Sequence, residues 1–229
     1  NFTFAQDIKK PNPFQPEIDA FAKVDKVKMP DAGKILFAGS SSFRLWQDVN
    51  NYFPGKPILN RGFGGATLLD LIQYSNETII KYRPKQIFIY CGENDIADND
   101  TVKPKDVFNR FKKLYSILRT QLPASTPIVF LSLKPSIARW SMHEKMAASN
   151  ELIKSFISTQ KNIQFLDVYS KMLDTDGTPF KDIFIDDKLH MNANGYAIWQ
   201  KLIAPLLLSD EKPIANTNAG KVCLLYTSP

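Results

Sequence analysis

At 229 residues, 44% of them hydrophobic, the chain can bury a full core without a metal or disulfide staple, and its length fits one domain better than two. Its formal charge of +6, from 29 basic against 23 acidic residues, is scattered, with no basic run longer than a pair such as Lys112-Lys113. That is the pattern of a solvated surface, not of a nucleic-acid groove, and no apolar run has the length of a membrane span.

The chain opens on "NFTFAQD", where Thr3 and Ala5 fit the small-residue pattern of a signal-peptide cleavage site with Gln6 as the first mature residue. Residues 1–5 then read as the remnant of a signal peptide, and the protein is expected to be exported, periplasmic or extracellular. The Pro-rich, irregular start "KPNPFQPEIDAF" belongs to an extension over residues 6–30 that is expected to pack on a domain spanning 31–209. At the other end, "CLLYTSP" (Cys223 to Pro229) follows a polar linker and fits nothing before it, so residues 210–229 read as a linker and non-native tail. Cys91 would then be the only native cysteine, and no internal disulfide could form.

Between these ends, short apolar runs alternate with longer stretches of helical period. The predicted strands are "KILFAG" (Lys34 to Gly39), "PILN" (Pro57 to Asn60), "QIFIYCG" (Gln86 to Gly92), "PIVFLSL" (Pro127 to Leu133) and "IQFLDV" (Ile163 to Val168). Continuous apolarity of this kind suits strands covered on both faces. Leu68, Leu71, Ile72 and Ile79 mark one helix; Val107, Phe111, Leu114 and Leu118 a second; Met146, Ile153, Phe156 and Ile157 a third; Ile198, Leu202 and Leu206 a last, kinked or ended by Pro205. Such alternation predicts a three-layer α/β/α domain with a parallel, flavodoxin-like five-stranded sheet. Ligand sites in these folds lie at the carboxyl ends of the strands.

Four polar or glycine-rich segments fall at those ends. Strand one delivers Gly39-Ser40-Ser41-Ser42, strand two "NRGFGGAT" (Asn60 to Thr67), strand three "GENDIAD" (Gly92 to Asp98), and "DDKLHMNANGY" (Asp186 to Tyr196) precedes the last helix. A nucleophilic serine needs a histidine to take its proton, a carboxylate to hold that histidine, and donors for an oxyanion. Of the two histidines, His143 has no acidic residue three before it, whereas His190 follows Asp187 by three in a turn-rich loop. The backbone amides after Gly39 and at Gly64-Gly65, with the neutral amide of Asn94, are candidate oxyanion donors. Each feature alone is ordinary turn or cap chemistry, and which of the three serines would react stays open on these grounds.

"ILFAGSSSFRLW", "NRGFGGAT", "GEND" and "DDKLH" resemble, in order, the four sequence blocks of the SGNH (GDSL-type) hydrolases, over about Gly39 to His190. The resemblance implies an esterase or acylhydrolase with Ser41 as nucleophile, His190 as general base, Asp187 as its support, and an oxyanion hole formed by the amides of Ser41, Gly65 and Asn94. It implies no metal or organic cofactor, and there is neither a His-Glu-x-x-His nor a Gly-x-Ser-x-Gly in the chain. Ser40 departs from the family, which commonly has aspartate there, and altered loop hydrogen bonding is the expected consequence.

The expected substrate is a small-molecule or glycan ester with a short or acetyl acyl group. "KPSIARW" (Lys134 to Trp140) could bring Arg139 and Trp140 to the pocket wall, or pack Trp140 on the domain. Two other readings differ in class. "GFGGAT" followed by Glu93 could serve a nucleotide-binding Rossmann-like domain, although Thr67 replaces the third glycine and the motif follows the second strand. A non-catalytic binding domain on the SGNH fold is the other.

Overall fold

The computed structural model describes residues 13–209, so the expected signal-peptide remnant, the first part of the extension and the tail lie outside the described residues. Five strands, β1 (Ile35–Gly39), β2 (Ile58–Gly62), β3 (Gln86–Tyr90), β4 (Ile128–Leu131) and β5 (Ile163–Leu166), form one parallel sheet in the order β2-β1-β3-β4-β5. The helices are α1 (Gln15–Val27), α2 (Ser41–Arg44), α3 (Val49–Tyr52), α4 (Leu68–Gln73), α5 (Ser75–Thr78), α6 (Glu93–Ala97), α7 (Pro104–Gln121), α8 (His143–Ile157) and α9 (Ala193–Ile203). This is the flavodoxin-like, three-layer arrangement expected from the alternation of runs.

The strands are largely apolar, β1 and β4 throughout, because two cores share them, and Asn60, Arg61, Gln86 and Gln164 are the polar exceptions. Leu36, Ala38, Ile87, Ile89 and Phe130 point into one core, against the apolar stripes of α4, α7 and α8. Ile35, Phe37, Phe88, Val129 and Leu131 point into the other, against Phe43, Trp46 and the α9 residues Trp199 and Ile203. Alternate residues serve opposite faces, as the strand pleat requires.

Two expectations are corrected. The irregular start contains helix α1, since Pro16 falls in its first turn, where no backbone N–H is needed. The helix anchors itself through Asp25, whose carboxylate takes Arg61 Nη2 of β2 and Lys81 Nζ at 2.7 Å each. The single helix expected from Leu68 to Ile79 is instead α4, a break at Tyr74, α5, and a 3-10 turn over Ile80–Tyr82. Ser75, Asn76 and Thr78 are weak helix formers, and the Tyr74 carbonyl accepts both the Thr78 amide and the Thr78 hydroxyl, a shared bond that bends helices.

The register places Gly39 beside Gly62 on one side and Tyr90 on the other. At Gly39 φ is +142°, and a Cβ would lie 1.9 Å from the Tyr90 carbonyl oxygen, which accepts the Ser40 N–H at 2.9 Å. Only glycine lets the chain leave the sheet here and begin the serine turn. Gly39→Ala is expected to cost more than about 3 kcal/mol in urea unfolding, from the clash and the strained φ together. A loss below about 1 kcal/mol would contradict this account of the turn.

Candidate active site

Ser40 is extended and stands as the N-cap of α2, its Oγ accepting the Ser41 N–H at 2.6 Å. The three serines then separate by exposure. Ser40 and Ser42 are buried, and the Ser42 carbonyl accepts the Tyr196 hydroxyl, whereas Ser41 is half-exposed at the carboxyl edge of the sheet.

The loop before α9 brings a histidine to that hydroxyl. Asn192 caps α9 by accepting from the amides of Asn194 and Gly195, and its side-chain amide donates to the carbonyls of Asp182 and Phe184. Lys188 takes left-handed φ of 57°, which folds Asp187 back over the next two residues. Asp187 Oδ1 accepts from the amides of Leu189 and His190, each at 2.8 Å, and Oδ2 lies 2.5 Å from His190 Nδ1. His190 Nε2 lies 2.9 Å from Ser41 Oγ. Burial pushes the Asp187 carboxyl up, but the bonds from the His190 amide, the imidazole and the Leu189 amide outweigh it and hold the group below its ordinary range. A carboxylate so held stabilises charge on the imidazole and fixes Nδ1 as the protonated nitrogen, leaving Nε2 to accept a proton. The other histidine is elsewhere: His143 stacks on Trp140 at 4.2 Å and contacts its carbonyl through Nδ1.

Of the expected donors, the Ser41 amide and Asn94 meet at Ser40 Oγ, next to the reacting serine. Asn94 is buried in the first turn of α6, with Nδ2 donating to the Ala66 carbonyl at 3.0 Å and to Ser40 Oγ at 3.2 Å. Gly65 adopts φ of +75° in the turn that follows β2. Helix α1 braces this turn through Glu17, which accepts the Gly64 N–H and pairs with Arg44 at 2.7 Å.

A hydroxyl, imidazole and carboxylate in line, with amide donors beside them, is an arrangement suited to acyl transfer. The model of the GDSL-like Lipase/Acylhydrolase family matches residues 35–198. The chain belongs to this family. A relative 27% identical over 207 residues is the platelet-activating factor acetylhydrolase IB subunit alpha2 of Gallus gallus, with 88% of this chain and 85% of that protein aligned. The human protein of the same name is equally similar. Among solved structures, a GDSL-like lipase from Bacteroides thetaiotaomicron superposes with a TM-score of 0.67 at 17% identity, covering 83% of this chain and 96% of that one. A catalytic mutant of an acetylxylan esterase from Geobacillus stearothermophilus superposes with a TM-score of 0.61 at 16% identity, over 79% and 96%. At these identities the likeness is one of fold.

Within this GDSL-like frame, the residue in the family's aspartate place has a definite bonding role. The Ser40 hydroxyl accepts from both the Ser41 amide and the Asn94 side chain, tying together two of the three expected oxyanion donors. Of the two residues expected at a pocket wall, Trp140 lines a cleft of about 740 Å³ together with Ile137, Phe184, Ile185, Asp186 and Lys188, the last two flanking Asp187. Arg139 turns away from that lining and gives Nη1 to Glu93 Oε1 at 2.9 Å. Glu93 is therefore no free ribose acceptor, because Tyr90, Lys134 and Arg139 already occupy its oxygens. Sequence reasoning missed this cluster; its available signal was the charge at each strand end, in "YCGEN" and "LSLKP". Among the described residues, no group of three or more His, Cys, Asp or Glu side chains converges as metal ligands would.

Replacing Ser40 with alanine removes an N-cap and an acceptor of the buried Asn94 amide, and is expected to lower stability by about 1 kcal/mol in urea unfolding. An unchanged midpoint would show that the hydroxyl does not carry those bonds.

Proposed function

We propose that the protein hydrolyses carboxylic esters with short acyl groups, acetyl esters above all, through an acyl-enzyme on Ser41. His190 Nε2 takes the Ser41 proton as Oγ attacks the ester carbonyl. The amides of Ser41 and Gly65 and the side chain of Asn94 receive the negative oxygen, and His190 returns the proton to the departing alcohol. Water, deprotonated by the same nitrogen, then releases the acid and restores Ser41. The observation that carries this reading is the hydrogen-bonded line from Ser41 Oγ through His190 to Asp187, at 2.9 and 2.5 Å. For the oxyanion to form, the Ser41 and Asn94 donors must turn from Ser40 Oγ to the substrate, an exchange of one acceptor for a charged and stronger one.

The acyl preference is supported by the names of two relatives, an acetylhydrolase and an acetylxylan esterase. A carbohydrate alcohol suits the cleft beside Asp187, where Trp140 offers an aromatic surface among charged and apolar side chains. Export, as the opening residues suggest, would bring the protein to such polymers.

Turnover of p-nitrophenyl esters of rising chain length, and of acetylated xylan, is expected to be greatest for acetyl. Ser41→Ala should abolish turnover and fluorophosphonate labelling, while Ser42→Ala keeps both. Asn94→Ala should lower kcat by about a hundred- to a thousand-fold, as loss of one oxyanion donor does elsewhere. Full activity in Ser41→Ala would overturn the assignment, and a folded wild type that neither turns over esters nor labels would favour a non-catalytic binding domain.

A further inference from the structure

Beside the contact of Ser41 with His190 stands a group of buried charges that the proposed hydrolysis does not use. Lys134 follows β4 and its side chain is 1% exposed; Nζ lies 3.3 Å from Glu93 Oε2 and donates to the Leu189 carbonyl at 2.8 Å. Glu93 is equally enclosed, with Oε2 also accepting the Tyr90 hydroxyl and Oε1 held by Arg139. Burial pushes the Lys134 ammonium down, while the Lys134 and Arg139 charges keep Glu93 below its ordinary range despite burial.

A buried ion pair is a poor device for stability, since desolvating two ions offsets most of their attraction and an apolar pair of similar volume often does as well. An apolar pair could not, however, donate to the Leu189 carbonyl. That carbonyl belongs to the peptide that joins Leu189 to His190. On the other side of the pair, Glu93 immediately precedes Asn94.

The loop that holds the histidine needs such a tie. Asp187 is 41% exposed, and the bonds among residues 185–190 are internal to the loop: they shape it without fixing it to the sheet. Among the described residues, the hydrogen bonds that join residues 187–190 to other parts of the fold come from Lys134 Nζ, from the Ala138 amide to the Lys188 carbonyl, and from the Ser41 contact itself. The first two of these three start from the segment after β4.

We propose that Lys134 is a positioning residue for the base: buried against Glu93, its ammonium holds the Leu189 carbonyl and so keeps the His190 imidazole on Ser41. The inference rests on the reading of Ser41 and His190 as the reacting pair, and adds to it a residue that touches neither. A displacement of the base on the order of 1 Å costs about a hundred-fold in rate.

The test compares the wild type with Lys134→Met and with the double variant Glu93→Gln/Lys134→Met. Hydrolysis of p-nitrophenyl acetate is measured per folded molecule, with the folded fraction and melting temperature taken from circular dichroism. Lys134→Met takes from the buried Glu93 carboxylate one of its two cationic partners, leaving Arg139 and the Tyr90 hydroxyl, and lowers the melting temperature; kcat falls about a hundred-fold while KM moves less than about threefold. The double variant removes this under-compensated buried charge and leaves only the partly exposed Arg139 without its carboxylate, so its melting temperature rises back toward wild type, while kcat stays low because no donor reaches Leu189. Recovery of kcat together with stability, or a folded Lys134→Met within about threefold of wild-type kcat, would overturn the proposal. If the double variant does not fold, the kcat of Lys134→Met per folded molecule decides alone. A wild type without esterase activity would fail the reading of the site itself, which is distinguishable from an active wild type matched by active variants.

Discussion

A parallel sheet obliges each strand to return through a crossover, so all its carboxyl ends share one edge, and the loops that leave different strands meet there. The contact of His190 with Ser41, 149 residues apart, is made on that edge. It depends in turn on the tight exit of the chain at Gly39, where the Tyr90 carbonyl occupies the place of any side chain. Ser41, Gly65, Asn94 and Lys134 each follow a different strand, and the order β2-β1-β3-β4-β5 sets the first three side by side.

Charge is distributed with a consistent logic around this edge. The groups proposed to meet the substrate's developing charge are neutral donors, the amides of Ser41, Gly65 and Asn94, which cost little to hold ready in a buried place. Formal charges are either kept partly in water, as at Asp187, or enclosed with full sets of partners, as in the Glu93 cluster and at Asp25 with Arg61 and Lys81. The Ser40 hydroxyl fits the same pattern. Where the family commonly has a carboxylate, this chain has a neutral acceptor that satisfies the Ser41 and Asn94 donors and competes less strongly with an incoming oxyanion than a carboxylate would.

Much of the sheet was legible in the sequence because doubly covered strands read as unbroken apolar runs, and the four polar blocks fall where those runs end. Asp187 and His190 were legible as a pair because they are three apart in one turn. Helix α1 was obscured by a run of prolines, of which Pro16 proves compatible with a first turn, and the break at Tyr74 by apolar spacing that continues across it. The partners of Glu93 were not legible at all, since Lys134 and Arg139 reach it from the next crossover and no local period records such a contact. The same holds for Ser40 and Asn94, 54 residues apart, whose bond follows from strand order alone.

The central claim is that Ser41 carries the acyl group between the two half-reactions. Acid-quenching the protein during turnover of p-nitrophenyl acetate, followed by peptide mass spectrometry, tests it directly. The account predicts an acetyl group on the peptide containing Ser41, absent from Ser41→Ala; steady ester turnover with that peptide unmodified, or with the acetyl group on another residue, would contradict it.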